Sequence, residues 1–284
     1  MPHLLTCTDG SLYAPSVYQH SAWAAARLGI GIRVLHGLDP HRELAHGHDL
    51  TGAIGFNASA ELTEELVKLE EAQARVARLK GKAILEDAVR QLAEAGITEV
   101  ETLQRHGRLV DILEVLELEA ELVVLGKRGE HCDFAKGHLG GELQRVIRTS
   151  VRPVLVAARA FKPIERFLLA YDGGPSAHKA VEFALNSPLL RGLHCHLLRA
   201  GRIDNTTTAE LEATAEKLRA AGYQVTATAQ AGPPEDIIAQ VVKAAGIDLL
   251  IMGAYGHSPI RQLILGSTTT TLVRTCQVPV LKFR

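Results

Sequence analysis

Near the end of the chain, Gly253, Gly256 and Gly266 stand with two and then nine residues between them, and Ser267, Thr268 and Thr269 follow directly. The apolar run Leu249–Met252 before them has the character of a buried strand, and a helix is predicted to open at Ser267. Glycines let backbone N–H groups approach a phosphate closely. A helix N-terminus adds unpaired donors and the positive end of its dipole. Ser267, Thr268 and Thr269 would add hydroxyl donors at the same point. The spacing is not that of a Gly-Lys-Ser/Thr phosphate loop, nor of the G-x-G-x-x-G dinucleotide loop. The chemistry it suits is the cradling of a phosphate chain.

Asp172 ends another short apolar run, Phe167–Tyr171, and precedes Gly173 and Gly174. It reads either as a turn residue capping the next helix or as a polar contact for a ligand at a strand end. Lys127 and Arg128 could meet an anion or simply be solvated. Cys132, close to Lys127, Arg128 and His131, could be a reactive thiol or an ordinary surface cysteine. His36, His41, His46 and His48 fall in what reads as a loop with irregular spacing, which suits a solvated or partner-binding segment better than a metal site. No Ser-His-Asp order, carboxylate pair or metal set can be assembled. The four cysteines, Cys7, Cys132, Cys195 and Cys276, are scattered without a C-x-x-C pair, so buried thiols are expected rather than disulfides or zinc. A formal net charge of −1 over 284 residues gives no reason to expect nucleic acid.

These residues must be held by elements, and the elements repeat. His3–Gly10 and Arg166–Gly173 each read as a strand ending in Asp-Gly, with an alanine-rich helix after it (Pro15–Leu28, Pro175–Leu185). Leu122–Gly126 and Leu249–Gly253 are a second matched pair, and Val151–Val156 and Val278–Phe283 a third. Asp9 and Asp172 are 163 residues apart, whereas Pro153 and Pro279 are 126 apart, so the first copy is 37 residues longer. Most of the surplus falls at about 38–65. In the second copy, strands at Leu193–Arg199 and Tyr223–Ala229 alternate with helices at Thr208–Ala221 and Pro233–Ala245. A proline starts the second of these helices, and Gly222 and Gly246 stop the two. Such alternation implies right-handed crossovers and a parallel sheet covered on both faces. Two domains follow, 1–158 and 164–284, each a doubly wound α/β unit with a parallel five-stranded sheet.

In order along the chain, the strand ending in Asp, the G-x2-G-x9-G-(S/T) loop and the final Val-Pro-Val strand resemble the universal stress protein family, in two copies over essentially the whole length. The resemblance implies the adenine nucleotide α hydrolase-like fold, with flavodoxin-like strand order 3-2-1-4-5 in each copy. It also implies ATP as the ligand, with magnesium as a companion ion left open. By position, Asp172 matches the acidic residue that contacts the nucleoside. Ala170 and Ala200 match positions lining the adenine pocket. Met252 and Gly253 match the segment beneath adenine and ribose, and Gly256, Gly266, Ser267, Thr268 and Thr269 match phosphate contacts. Gly174 stands where the family often has Ser, and Tyr255 where it often has His.

The first copy departs further. Ten residues, Glu130–Leu139, precede Gly140; Gly141 replaces the hydroxyl residue, and Glu142 places a carboxylate where phosphate would sit. One ATP site, in the second copy, is therefore expected. The resemblance further implies pairing through the final strands, here between the two halves of one chain, with a homodimer as an additional possibility. A cytoplasmic protein with no membrane span is expected, as is an output of binding rather than turnover. A slow ATPase and a nucleotide-free scaffold remain as alternatives.

Overall fold

A computed structural model of the chain describes residues 2–38, 60–127, 141–253 and 267–284. In the first half the elements are β1 (His3–Cys7), α1 (Ala14–Leu28), β2 (Gly31–Leu38), α2 (Ala60–Glu94), β3 (Val100–His106), α3 (Leu109–Leu116), β4 (Ala120–Gly126), α4 (Gly141–Thr149) and β5 (Val154–Ala157). The second half repeats the plan: β6 (Arg166–Ala170), α5 (Pro175–Asn186), β7 (His194–Gly201), α6 (Asn205–Ala220), β8 (Val225–Ala231), α7 (Pro234–Ala244), β9 (Leu249–Gly253), α8 (Ser267–Thr275) and β10 (Val280–Phe283). Among the described residues no helix is long and apolar enough to cross a membrane.

Local chemistry accounts for the boundaries. Pro15 sits in the first turn of α1, and Gly29 ends the helix at φ 67°, a left-handed conformation that glycine adopts without strain. Helix α6 starts at Asn205, three residues before the expected Thr208. Asp204 caps it by accepting from Thr207 N at 2.9 Å, while the Thr207 hydroxyl takes the Asp204 N–H. The surplus stretch leads into a helix, α2, which begins at Ala60 and runs 35 residues. Its outer part carries mixed charge at i,i+4 spacing, as in Lys68–Glu64 at 2.9 Å.

All strands lie in one ten-stranded sheet of order β3-β2-β1-β4-β5-β10-β9-β6-β7-β8. Each half has the expected order 3-2-1-4-5, with parallel pairing within it. The two five-stranded sheets are not separate, however. Strand β10 pairs antiparallel with β5, in the register Val280↔Val156, Leu281↔Leu155 and Lys282↔Val154. The central strands are buried on both faces, as crossover helices demand. Two apolar layers run across both halves. One carries Leu4, Tyr18, Phe167 and Phe283, and the other Leu5, Val123, Leu250 and Val280.

Charged side chains stitch the seam. Lys282 is fully buried, and its Nζ donates to Ile147 O near the C-terminus of α4; Arg284 donates to Thr149 O at 2.7 Å. Lys127 donates to Cys276 O and, at 3.1 Å, to Val278 O, just beyond the C-terminus of α8. Lys127 is thus not the solvated loop cation that its sequence context suggests. Both lysines neutralise the carbonyl end of a helix in the other half. Burial pushes the Lys282 amine down to about 7, with Arg284 adding to the effect, and burial pushes Lys127 down to about 8.

A lysine depressed in the fold favours folding above its ordinary value of 10.5, and that contribution is lost as pH falls toward the folded value. The unfolding free energy from urea titration should therefore rise between pH 7.5 and 9.5, by at most about 1.4 kcal/mol per pH unit for each lysine. Lys282→Met should shrink this gap, leaving the part due to Lys127. An unchanged gap would mean that Lys282 stays charged in the folded protein.

Candidate functional site

In each half the strand order reverses between the first and fourth strands, where open parallel sheets leave a crevice beyond the strand ends. In the second half this point lies between β6 and β9. Ala170, half-buried at the end of β6, is the register partner of Met252, which is buried at the end of β9. Ala200 lies half-buried near the end of β7, on the other side of β6. Asp172 follows β6, and its Oδ1 accepts the Gly174 N–H at 2.8 Å; Gly173 between them has φ +75°. The turn is thus an Asp-anchored loop, which satisfies the local reading of Asp172 while leaving the residue at the crevice mouth.

Gly253 has a packing reason to be glycine. A Cβ there would stand 2.8 Å from Ser176 Cβ and 3.4 Å from Ala177 N, in the first turn of α5. The end of β9 therefore presses against the helix that Asp172 introduces. Thr268, in the first turn of α8, donates from Oγ1 to Glu235 Oε2 at 3.1 Å, and Thr269 is buried. Ser267 opens α8 as expected. Gly256 and Gly266 lie outside the described residues, as do Arg128, His131, Cys132, Gly140, His41, His46 and His48.

Three site residues escape the sequence reading. Arg199, on β7 next to Ala200, has a side chain only 13% exposed, and its Nη1 is 3.9 Å from Glu210 Oε2 on α6. Among the described residues that buried nitrogen has no hydrogen-bond partner. It lies 2.9 Å from where a Cβ on Gly173 would be, so it covers the turn beside Asp172. The signal was a cation directly after the apolar pair Leu197-Leu198, where a buried strand would continue. Glu235 sits in the acidic first turn of α7, a composition that sequence alone attributes to the helix dipole.

The first half forms the same turn and closes it differently. Asp9 Oδ1 accepts from Ser11 N at 3.0 Å, and Gly10 has φ +69°. Over Gly10, however, lies Ile84 of α2, whose Cγ1 would be 2.5 Å from an added Cβ. His36 takes the place corresponding to Arg199. It is a buried residue of β2, not of a loop, and its Nδ1 is 2.9 Å from Thr8 O. Thr8 Oγ1 and Tyr18 OH are hydrogen bonded at 2.8 Å. Glu142 occupies the first turn of α4, with Oε1 held by Arg145 at 3.0 Å. A guanidinium covers one glycine turn and an isoleucine the other. Among the described residues no group of three or more His, Cys, Asp or Glu side chains is arranged to hold a metal ion.

Gly253→Ala should cost about 1–3 kcal/mol, because the new methyl meets a packed helix turn. Ser176→Gly in the same chain should recover part of this loss. Urea unfolding of the two single variants and the double variant measures the coupling, and a coupling near zero would place the strain elsewhere.

The Universal stress protein family model matches residues 1–158 and again 163–284. The chain is 40% identical to Universal stress protein Slr1230 of Synechocystis sp. over 287 aligned positions, covering 100% of both chains. The crystal structure of a universal stress protein from Archaeoglobus fulgidus superposes with a TM-score of 0.75 at 22% identity, over 99% of this chain and 96% of that one. A universal stress protein in complex with cAMP matches 43% of this chain and 98% of its own, with a TM-score of 0.37 and 22% identity. Two family matches in sequence and a relative aligned from end to end agree with the doubled fold: the chain belongs to the universal stress protein family, as a tandem of two such domains.

Proposed function

We propose that the chain works as two units, 1–158 and 164–284, and that the second binds ATP in the crevice between β6 and β9 as a regulator whose output is occupancy. The contrast between the two equivalent glycine turns carries this reading. Over Gly173 the mouth is polar, with an unpartnered Arg199 nitrogen beside Asp172, whereas over Gly10 it is roofed by Ile84. An unpaired buried donor costs free energy that a ligand oxygen can recover. The G-x2-G-x9-G-Ser spacing that follows β9 and ends at the start of α8 has the chemistry for the phosphate end of such a site. Ala170, Ala200 and Met252 form its apolar floor. Were magnesium to accompany the phosphates, the oxygen donors at hand are Glu235 and Thr268. A cytoplasmic, self-associating protein fits this reading.

Titration calorimetry should give one ATP per chain. Gly266→Val should abolish binding with the fold retained. Asp172→Ala should weaken ATP by roughly 10- to 100-fold, the worth of a hydrogen bond to a charged group. It should leave competition by inorganic phosphate nearly unchanged. If ATP shifts the melting temperature no more than a non-binding control, the reading fails and a scaffold role stands. Bound ATP should persist for hours, and steady release of ADP would make the protein an enzyme instead.

A further inference from the structure

Antiparallel pairing of β5 with β10 sets unlike ends of the two halves side by side. The C-terminal ends of β4 and β5, with the start of α1, face the segments that lead into β9 and β10. Between them lies a cavity of about 670 Å³, walled by both halves and distinct from either glycine turn. Its volume is within the range of small-molecule sites.

The charges on its wall do not balance. Lys127, Arg159, Lys162 and Arg274 line it, against the single carboxylate of Asp248. The negative groups are already committed. Asp248 Oδ2 accepts the N–H groups of Glu165 and Arg166, both at 3.0 Å. Cys276 O and Val278 O, which carry the negative pole of α8 toward the cavity, accept from Lys127. Arg159 and Lys162 are exposed, and no hydrogen bond or ion pair engages either among the described residues. The Arg159 guanidinium stands over the Tyr13 ring at 5.7 Å from its centroid, a contact that positions the cation while leaving its N–H edges available. Helix α1 opens at this wall with Tyr13 at its N-cap and no side-chain cap, so its amide end adds positive potential.

We propose that this seam cavity binds a small, multiply charged phosphorylated anion, held by Arg159 and Lys162 in a pocket that both halves build. A phosphate suits the wall better than a single carboxylate. It brings more than one negative charge, and its oxygens match the fork of an arginine. Because the ligand would touch the first half through Arg159 and the second through the 274–279 wall, its occupancy would tie the halves together.

The test uses the full chain carrying Gly266→Val, so that the β6–β9 crevice is silenced. Equilibrium dialysis with pyrophosphate, at ionic strength matched with chloride, should show one site per chain whose affinity falls as salt rises. Arg159→Gln with Lys162→Gln should weaken it at least tenfold. Lys217→Gln with Lys243→Gln, an equal loss of charge elsewhere, should leave it unchanged. Fructose 1,6-bisphosphate binding tighter than pyrophosphate would mark an organic phosphate as the occupant, and equal affinity would mark the phosphate groups alone. No saturable binding, equal weakening in both double variants, or none in the first would overturn the proposal.

Discussion

Three residue pairs on two short strands decide the shape of the whole molecule. Left unpaired, β5 and β10 would each end a parallel sheet with a row of free backbone groups on an apolar strand, a template for unwanted association. Pairing them covers both edges at once, and the covalent link between the halves keeps the local concentration of partner strand high. The outer edges are left to β3 and β8, whose residues are mostly exposed or half-exposed. Everything functional inherits this geometry. Since the central pairing is antiparallel, the two crevices open at opposite ends of the sheet, and each half shows the end remote from its own crevice to its partner's crevice end.

Opposed crevices can diverge independently. In the first half α2 reaches the turn at Gly10 through Ile84, while Gly81 packs against His36 and Gln104. The shorter α6 offers Glu210 to the corresponding turn and leaves Arg199 with an unsatisfied nitrogen. The same backbone turn, with glycine near φ +70° after an aspartate, is therefore closed by hydrocarbon in one copy and left polar in the other.

How much of this the sequence discloses depends on the range of the interaction. Strand order, the doubled plan and the Asp-Gly turns are written in short apolar runs and local turn chemistry, and these are legible. The length of α2 is not, because residues 60–65 carry no start signal that composition alone separates from a charged loop. Lys127 misleads for a related reason. A lysine in a sequence reads as solvated, and only the neighbouring half supplies the carbonyls that bury it. His36 was grouped by its neighbours along the chain with three loop histidines, yet its partner is Thr8 on the adjacent strand. Arg199 and Glu210 lie eleven residues apart on different elements, a pairing that no local pattern encodes.

The lysines also show that the pseudo-symmetry belongs to the backbone. In the repeat register Lys282 corresponds to Val156, and Lys127 to Ala254. Each half nonetheless receives a cation at the carbonyl end of its last helix, α4 from Lys282 and Arg284, α8 from Lys127. Both helices end against the partner half, and their terminal carbonyls take donors from across the seam. Two copies with identical side chains would meet that need twice in the same way. Here it is met from opposite sides of the junction by different residues. The seam is symmetric in its backbone and asymmetric in its side chains, and the excess positive charge at the cavity it encloses is part of that asymmetry.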